Sequence, residues 1–152
     1  MLRLAVVLVP SCGAEVTVHR VTRSPRDRQG RLRLHQAAAF GDAEEVARLV
    51  SEGEDVAAVD NALFTPLHLA CQQGHLAAAR VLVAAGAPVD PRDSYGDTPL
   101  WRAVFAFQGG DPELIRLLLD AGADPDAKNN TDRSPRDMAL TFDRPGIRGV
   151  FP

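Results

Sequence analysis

The sequence predicts an all-α chain, a solenoid of stacked helix–turn–helix units joined by hairpin loops. Three observations lead there. First, the letters of one stretch recur at a fixed distance: His35, Ala37, Gly41, Leu49 and Gly53 stand 33 residues before His68, Ala70, Gly74, Leu82 and Gly86. Thr98-Pro99-Leu100-Trp101 stands 33 residues after Thr65-Pro66-Leu67-His68, and Gly110 and Gly122 then lie 36 residues after Gly74 and Gly86, so about three residues are inserted near Phe107-Gln108-Gly109. Second, the apolar residues within each copy fall at helical spacing, as Val46, Leu49 and Val50 do. Third, Gly, Pro, Asp and Thr stand where helix ends need them. A unit of this length cannot bury its apolar face alone, so about three or more must stack. The chain holds three copies and a truncated fourth, over about 31–59, 60–92, 93–128 and 129–152.

Residues 1–30 precede the repeats and read as a leader, disordered or loosely attached. Leu4–Val9 is an apolar run of six residues after one Arg. It is shorter than the usual core of a signal peptide and far too short to cross a bilayer. Export or lipidation at Val9-Pro10-Ser11-Cys12, and a start codon assigned too far upstream, remain open alternatives. The arginines from Arg20 to Arg33 form either a solvated arm or an electrostatic docking segment.

In the first unit a helix is expected over Leu34–Phe40, broken at Gly41. Asp42 caps the next helix, and Glu45 three residues on completes a capping-box pattern. Gly53 supplies the left-handed residue at its end. In the second unit Thr65 caps a helix whose first residue is Pro66, where a missing amide proton costs nothing. Leu76, Ala79, Leu82 and Val83 form the core face of its partner. Leu63 holds a turn position that Gly96 holds one unit later, so that turn is expected to be strained or differently shaped. In the third unit Trp101 replaces the histidine and fills space between units. Gly109-Gly110-Asp111-Pro112 stops one helix and starts another, with Asp111 as cap and Pro112 as first helical residue. Leu114, Ile115, Leu118 and Leu119 are its buried stripe. The fourth unit has one helix, about Pro135–Phe142, ended by Asp143-Arg144-Pro145-Gly146. Ile147, Val150 and Phe151 are expected to fold back over the last apolar face.

The stretch Thr65-Pro66-Leu67-His68-Leu69-Ala70, then Gly74-His75-Leu76, then Leu82-Val83-Ala84-Ala85-Gly86-Ala87, resembles the ankyrin repeat, and the chain as a whole resembles a bacterial-type member of that family. The resemblance implies that the Thr65 hydroxyl and His68 bond each other and nearby backbone. It implies contacts to a protein partner from hairpin tips and the exposed side of each first helix. By position these are Phe40 in the first unit, Asn61, Phe64, Gln72, Gln73 and Arg92 in the second, Tyr95, Asp97, Phe105 and Lys128 in the third, and Arg133 in the last. The aromatics Phe40, Phe64, Tyr95, Phe105 and Phe142 are the anchor candidates, with plain packing as the competing role for Phe40 and Phe105.

Composition narrows the function. Aromatics make up 5% of the 152 residues, so Ala and Leu must do the packing. Residues 1–33 hold seven Arg and two acids, +5, whereas residues 34–152 hold ten basic and eighteen acidic side chains, −8. An acidic repeat body argues against a groove that must neutralise nucleic-acid phosphates. Two cysteines, Cys12 and Cys71, make no disulfide framework; Cys71 sits where a small buried residue is wanted. His19, His35, His68 and His75 lack partners at metal-ligand spacing, and no phosphate loop or nucleophile elbow is present. The expectation is a non-catalytic module that binds another protein, as a monomer, in the cytoplasm, with no cofactor, no nucleic acid and no membrane. The alternatives are an immunity- or antitoxin-like inhibitor whose acidic body suits a basic enzyme, and an enzyme or accessory subunit working through His68 or Cys71. An exported protein is the alternative for location.

Overall fold

A computed structural model describes residues 24–142, 144 and 146–152. The apolar run Leu4–Val9, Cys12, and the turn residues Asp143 and Pro145 lie outside the described residues. Seven helices follow in order: α1 Arg33–Phe40, α2 Ala43–Ser51, α3 Pro66–Gln72, α4 Leu76–Ala84, α5 Pro99–Ala106, α6 Glu113–Asp120 and α7 Pro135–Thr141. They form two rows. The first helices pack in sequence, α1 on α3, α3 on α5, α5 on α7, and the second helices pack α2 on α4 and α4 on α6. One continuous core lies between the rows. Leu34, Leu49, Leu67, Leu82, Leu100, Ile115 and Leu118 are its large members, and Ala38, Ala70, Ala78 and Ala79 let the backbones approach.

The helix starts follow from their capping residues. Thr65, Thr98 and Ser134 each accept a bond from the amide three residues on. Asp42 does the same for the Glu45 amide, 3.0 Å away. The reciprocal half of that capping box is missing, because the Glu45 carboxylate turns to the guanidinium of Arg48, 2.7 Å away, and to Arg33. Asp111 is likewise not a cap. Pro112 occupies that position, α6 begins at Glu113, and the Asp111 carboxylate pairs with Arg116 at 3.0 Å. Leu63 keeps the hairpin shape by adopting φ 62°, the left-handed conformation that Gly30 and Gly96 adopt at the matching positions.

The core faces are narrower than the stripes expected: Ala78, Ala79 and Leu82 are buried in α4, and Ile115 and Leu118 in α6, while Leu76, Val83, Leu114 and Leu119 are half-buried. At the end of the stack Ile147 is fully buried in the core, with Val150 and Phe151 packed beside it. These three residues thus extend the continuous core beyond α7. No helix among the described residues is long and apolar enough to cross a membrane.

Candidate partner-binding face

Four hairpins are built on one acceptor each. Asp27, Asp60, Asp93 and Asn129 stand at the root of their hairpins, and one side-chain oxygen of each accepts the amides two and four residues on, at 2.8 to 3.1 Å. A short polar side chain that bonds its own following backbone fixes a turn without help from the rest of the fold. The hairpins then bond each other. The Asn61 amide donates to the Gln29 carbonyl, the Ser94 amide to Ala62, and the Asn130 amide to Tyr95, at 2.9 to 3.0 Å. Arg26 donates to the Val59 carbonyl, and Arg92, at the matching place two units later, donates to that of Lys128. The tips therefore form one row alongside the row of first helices.

Histidines lock that row to the helices. The Leu32 amide donates to Nδ1 of His35, whose Nε2–H donates to the Phe64 carbonyl at 3.0 Å. His68 repeats this with the Thr65 amide and the Asp97 carbonyl, again at 3.0 Å. Each ring thus reaches the next unit's hairpin. Burial pushes both imidazoles below the ordinary histidine range, with the carbonyl bonds partly opposing. Trp101 takes this place in the third unit. Its Nε1–H is buried and has no partner among the described residues, and its ring stacks on Phe105 with centroids 5.3 Å apart.

The sequence-derived contact residues divide by exposure. Phe40, Tyr95 and Phe105 are 82%, 63% and 50% exposed, and Phe142 lies beyond them at the end of α7. Gln72 and Gln73 are exposed at the end of α3, and Arg92, Lys128 and Arg133 are exposed on the hairpins. The exposed Asn61 already uses its amide to hold the Arg28 carbonyl, 3.2 Å away. Phe64 and Asp97 are buried. Phe64 packs edge-on against His68, and Asp97 accepts from Asn129 at 2.7 Å. Burial pushes the Asp97 carboxyl above its usual range, against the opposing pull of Asn129 and Arg102.

Arg102 was not among the residues the sequence singled out, yet it organises the middle of this face. Its guanidinium bonds Asp93 at 2.7 Å and Asp97 at 3.1 Å, and its Cζ lies 4.9, 5.5 and 5.6 Å from the ring centroids of Phe64, Tyr95 and Trp101. A signal existed. Gln36 holds the matching place in the first unit and bonds Asp27 nine residues earlier, as Arg102 bonds Asp93 nine residues earlier.

A family model for ankyrin repeats, three copies, matches residues 34–129. The chain belongs to the ankyrin-repeat family. Among curated ankyrin-repeat relatives, protein phosphatase 1 regulatory subunit 27 of Homo sapiens is 31% identical over 128 residues, covering 76% of this chain and 81% of that protein. Ankyrin repeat and SOCS box protein 5 of Oryctolagus cuniculus is 38% identical over 107 residues, 70% of this chain but 31% of the relative. Ankyrin repeat domain-containing protein 13C of Danio rerio is 32% identical over 121 residues, 78% of this chain and 24% of the relative. The chain thus spans about a third or less of the last two proteins. The ankyrin-repeat assignment fits the geometry: the Thr65–His68 pair makes the bonds the resemblance implied.

Proposed function

We propose that this protein is a non-catalytic module that binds another protein along the face made by its hairpin tips and first helices. The observation that carries the reading is the exposure of Phe40, Tyr95 and Phe105 along those rows. Aromatic side chains held rigidly at a surface supply large contact area at low entropic cost, and they are typical anchors of interfaces. The scaffold beneath them is fixed by the hairpin and histidine bonds, so little ordering remains to oppose association. The two residues weighed for catalysis, His68 and Cys71, are otherwise engaged. His68 has both ring nitrogens bonded, and Cys71 is fully buried, with its thiol pushed up by burial.

The test is affinity capture with the full chain beside a Tyr95→Ala, Phe105→Ala double variant. A protein retained by the parent and lost from the variant, with helical content unchanged by circular dichroism, supports the face. Equal retention removes it.

A second reading makes the bound protein an enzyme. It rests on the human relative, named a regulatory subunit of protein phosphatase 1, most of which this chain covers. A phosphatase catalytic subunit among the captured proteins would favour it.

A further inference from the structure

The net charge of the repeat body conceals a segregation that the structure lays out. The second helices, with the turns on either side of them, hold twelve acidic side chains and three arginines, −9. Those arginines, Arg48, Arg80 and Arg116, are all ion-paired to Glu or Asp. The hairpins and first helices between Arg26 and Asp137 hold nine basic and six acidic side chains, +3. Of those six acids, Asp60, Asp93 and Asp97 are 5%, 4% and 4% exposed, and the first two are the acceptors that build their turns. The other three, Asp27, Asp132 and Asp137, are exposed, Asp132 against Lys128, and the balance this face shows to solvent is positive. Arg26, Arg28, Arg92 and Arg133 form no salt bridge among the described residues; Arg26 and Arg92 reach only main-chain carbonyls. These four arginines stand along the hairpin row, Arg26 and Arg28 at the first hairpin and Arg92 and Arg133 at the third and fourth, the two hairpins that meet at Tyr95.

We propose that this face takes an acidic, aromatic-bearing peptide segment of its partner, laid along the row of hairpins. The inference rests on the binding role proposed above and names the chemistry of the occupant. It also reverses what net charge implies: an acidic body suggests a basic partner, but the acidic excess lies with the second helices and their turns. Four units packed at helix–helix distances of roughly 10 Å make a row of about 30 Å, which an extended segment of about nine residues spans at about 3.4 Å each. Carboxylates spaced along it meet the arginine forks, which suit them geometrically. Aromatics meet Tyr95 and Phe105. Exposed charges of this kind act mainly on encounter rate and on salt dependence.

The experiment pans a phage-displayed library of random twelve-residue peptides on the full chain. The recovered peptides are then synthesised with a fluorophore and titrated at low and high salt. The expected result is enrichment of peptides with several Asp or Glu and an aromatic residue. Their affinity should fall with salt and drop about tenfold in an Arg28→Glu, Arg133→Glu double variant. Among the described residues these two guanidiniums form no hydrogen bond or salt bridge, and an Arg→Gln pair, which places no new negative charge beside Asp137, serves as a milder second variant. Enrichment of basic or neutral peptides at Tyr95 and Phe105 overturns the acidic occupant while leaving the binding face standing. No enrichment, or recovered peptides indifferent to Arg28 and Arg133, overturns the inference as well. A labelled twelve-nucleotide RNA that binds more tightly than every recovered peptide overturns it in favour of a nucleic acid, and the capture test on Tyr95 and Phe105 remains as the separate check on protein binding.

Discussion

Arg102 lies over Phe64 across two successive repeats, its Cζ 4.9 Å from the ring centroid, while the same guanidinium holds Asp93 and Asp97. Its side chain is 13% exposed and those of the two acids 0% and 5%. Replacing Arg102 with Leu, the residue at the matching position 69, leaves two buried carboxylates without their cation. Breaking a buried pair from one side costs about 3–5 kcal/mol. Urea unfolding of Arg102→Leu should show a loss of about that size, and Arg102→Lys a smaller one, since the ammonium keeps the charge but not the fork. A loss under about 1 kcal/mol for Arg102→Leu would mean that Asp93 and Asp97 are held adequately by their amide and Asn129 bonds.

Leu63 holds φ 62° at an exposed turn tip where Gly30 and Gly96 hold the equivalent places. A side chain in that conformation costs about 1 kcal/mol, and Leu63→Gly removes the cost at the expense of a more flexible unfolded chain. The net expectation is a small gain, up to about 0.6 kcal/mol, in thermal or urea unfolding. A loss would show that the half-exposed Leu63 side chain packs more usefully than its conformation costs.

Gly41 and Gly74 both have positive φ at the same place in successive repeats, but a Cβ on Gly41 would stand 2.6 Å from the His75 ring, and one on Gly74 meets nothing. Gly41→Ala should therefore destabilise more than Gly74→Ala, by about 1–2 kcal/mol beyond the shared conformational cost. The two alanine variants separate sterics from backbone strain. Adding His75→Ala should return much of the excess, as a coupling energy between neighbours.

His35 and His68 accept a main-chain amide on Nδ1, so protonation there breaks a bond that each cap uses. Their folded-state pKa values lie below the ordinary value of 6.5, chiefly because of burial. A depressed pKa means the unfolded chain binds more protons near pH 6. The stability each ring contributes is fully present above about pH 6.5 and is lost as pH falls toward the folded value. Melting temperature should thus decline between pH 7 and pH 5. The decline should shrink in a His35→Asn, His68→Asn variant, whatever its stability at pH 7. An unchanged slope would place the proton uptake on other groups.

Much of this was legible from spacing alone. Thr65, Thr98 and Ser134 announce helix starts because a hydroxyl before Pro or an amphipathic run has few other uses. Ile147, Val150 and Phe151 were readable as core-packing residues because apolar side chains after the α7 turn have the exposed apolar face of that helix within reach. What escaped depended on competition between neighbours. Glu45 had the letters of a capping box, but Arg48, one turn away, offers a charged partner in place of an amide. Asp111 had the letters of a cap and went to Arg116. The role of Arg102 was hidden because its partners lie in a hairpin and in the repeat before, and a cation on a helix ordinarily reads as solvated. Lining up position 102 with Gln36, and Asp93 with Asp27, would have exposed the pairing.

The histidine tie joins the first unit to the second and the second to the third, but Trp101 leaves the third joined to the fourth without it. That junction keeps the ties of Asn129 to Asp97 and of Arg92 to the Lys128 carbonyl, but not the buried bond from a first helix to the next hairpin. Under a mechanical pull, or in the slow exchange of amide protons with heavy water, the segment from Asn129 onward is expected to open first, and the units tied by His35 and His68 afterward.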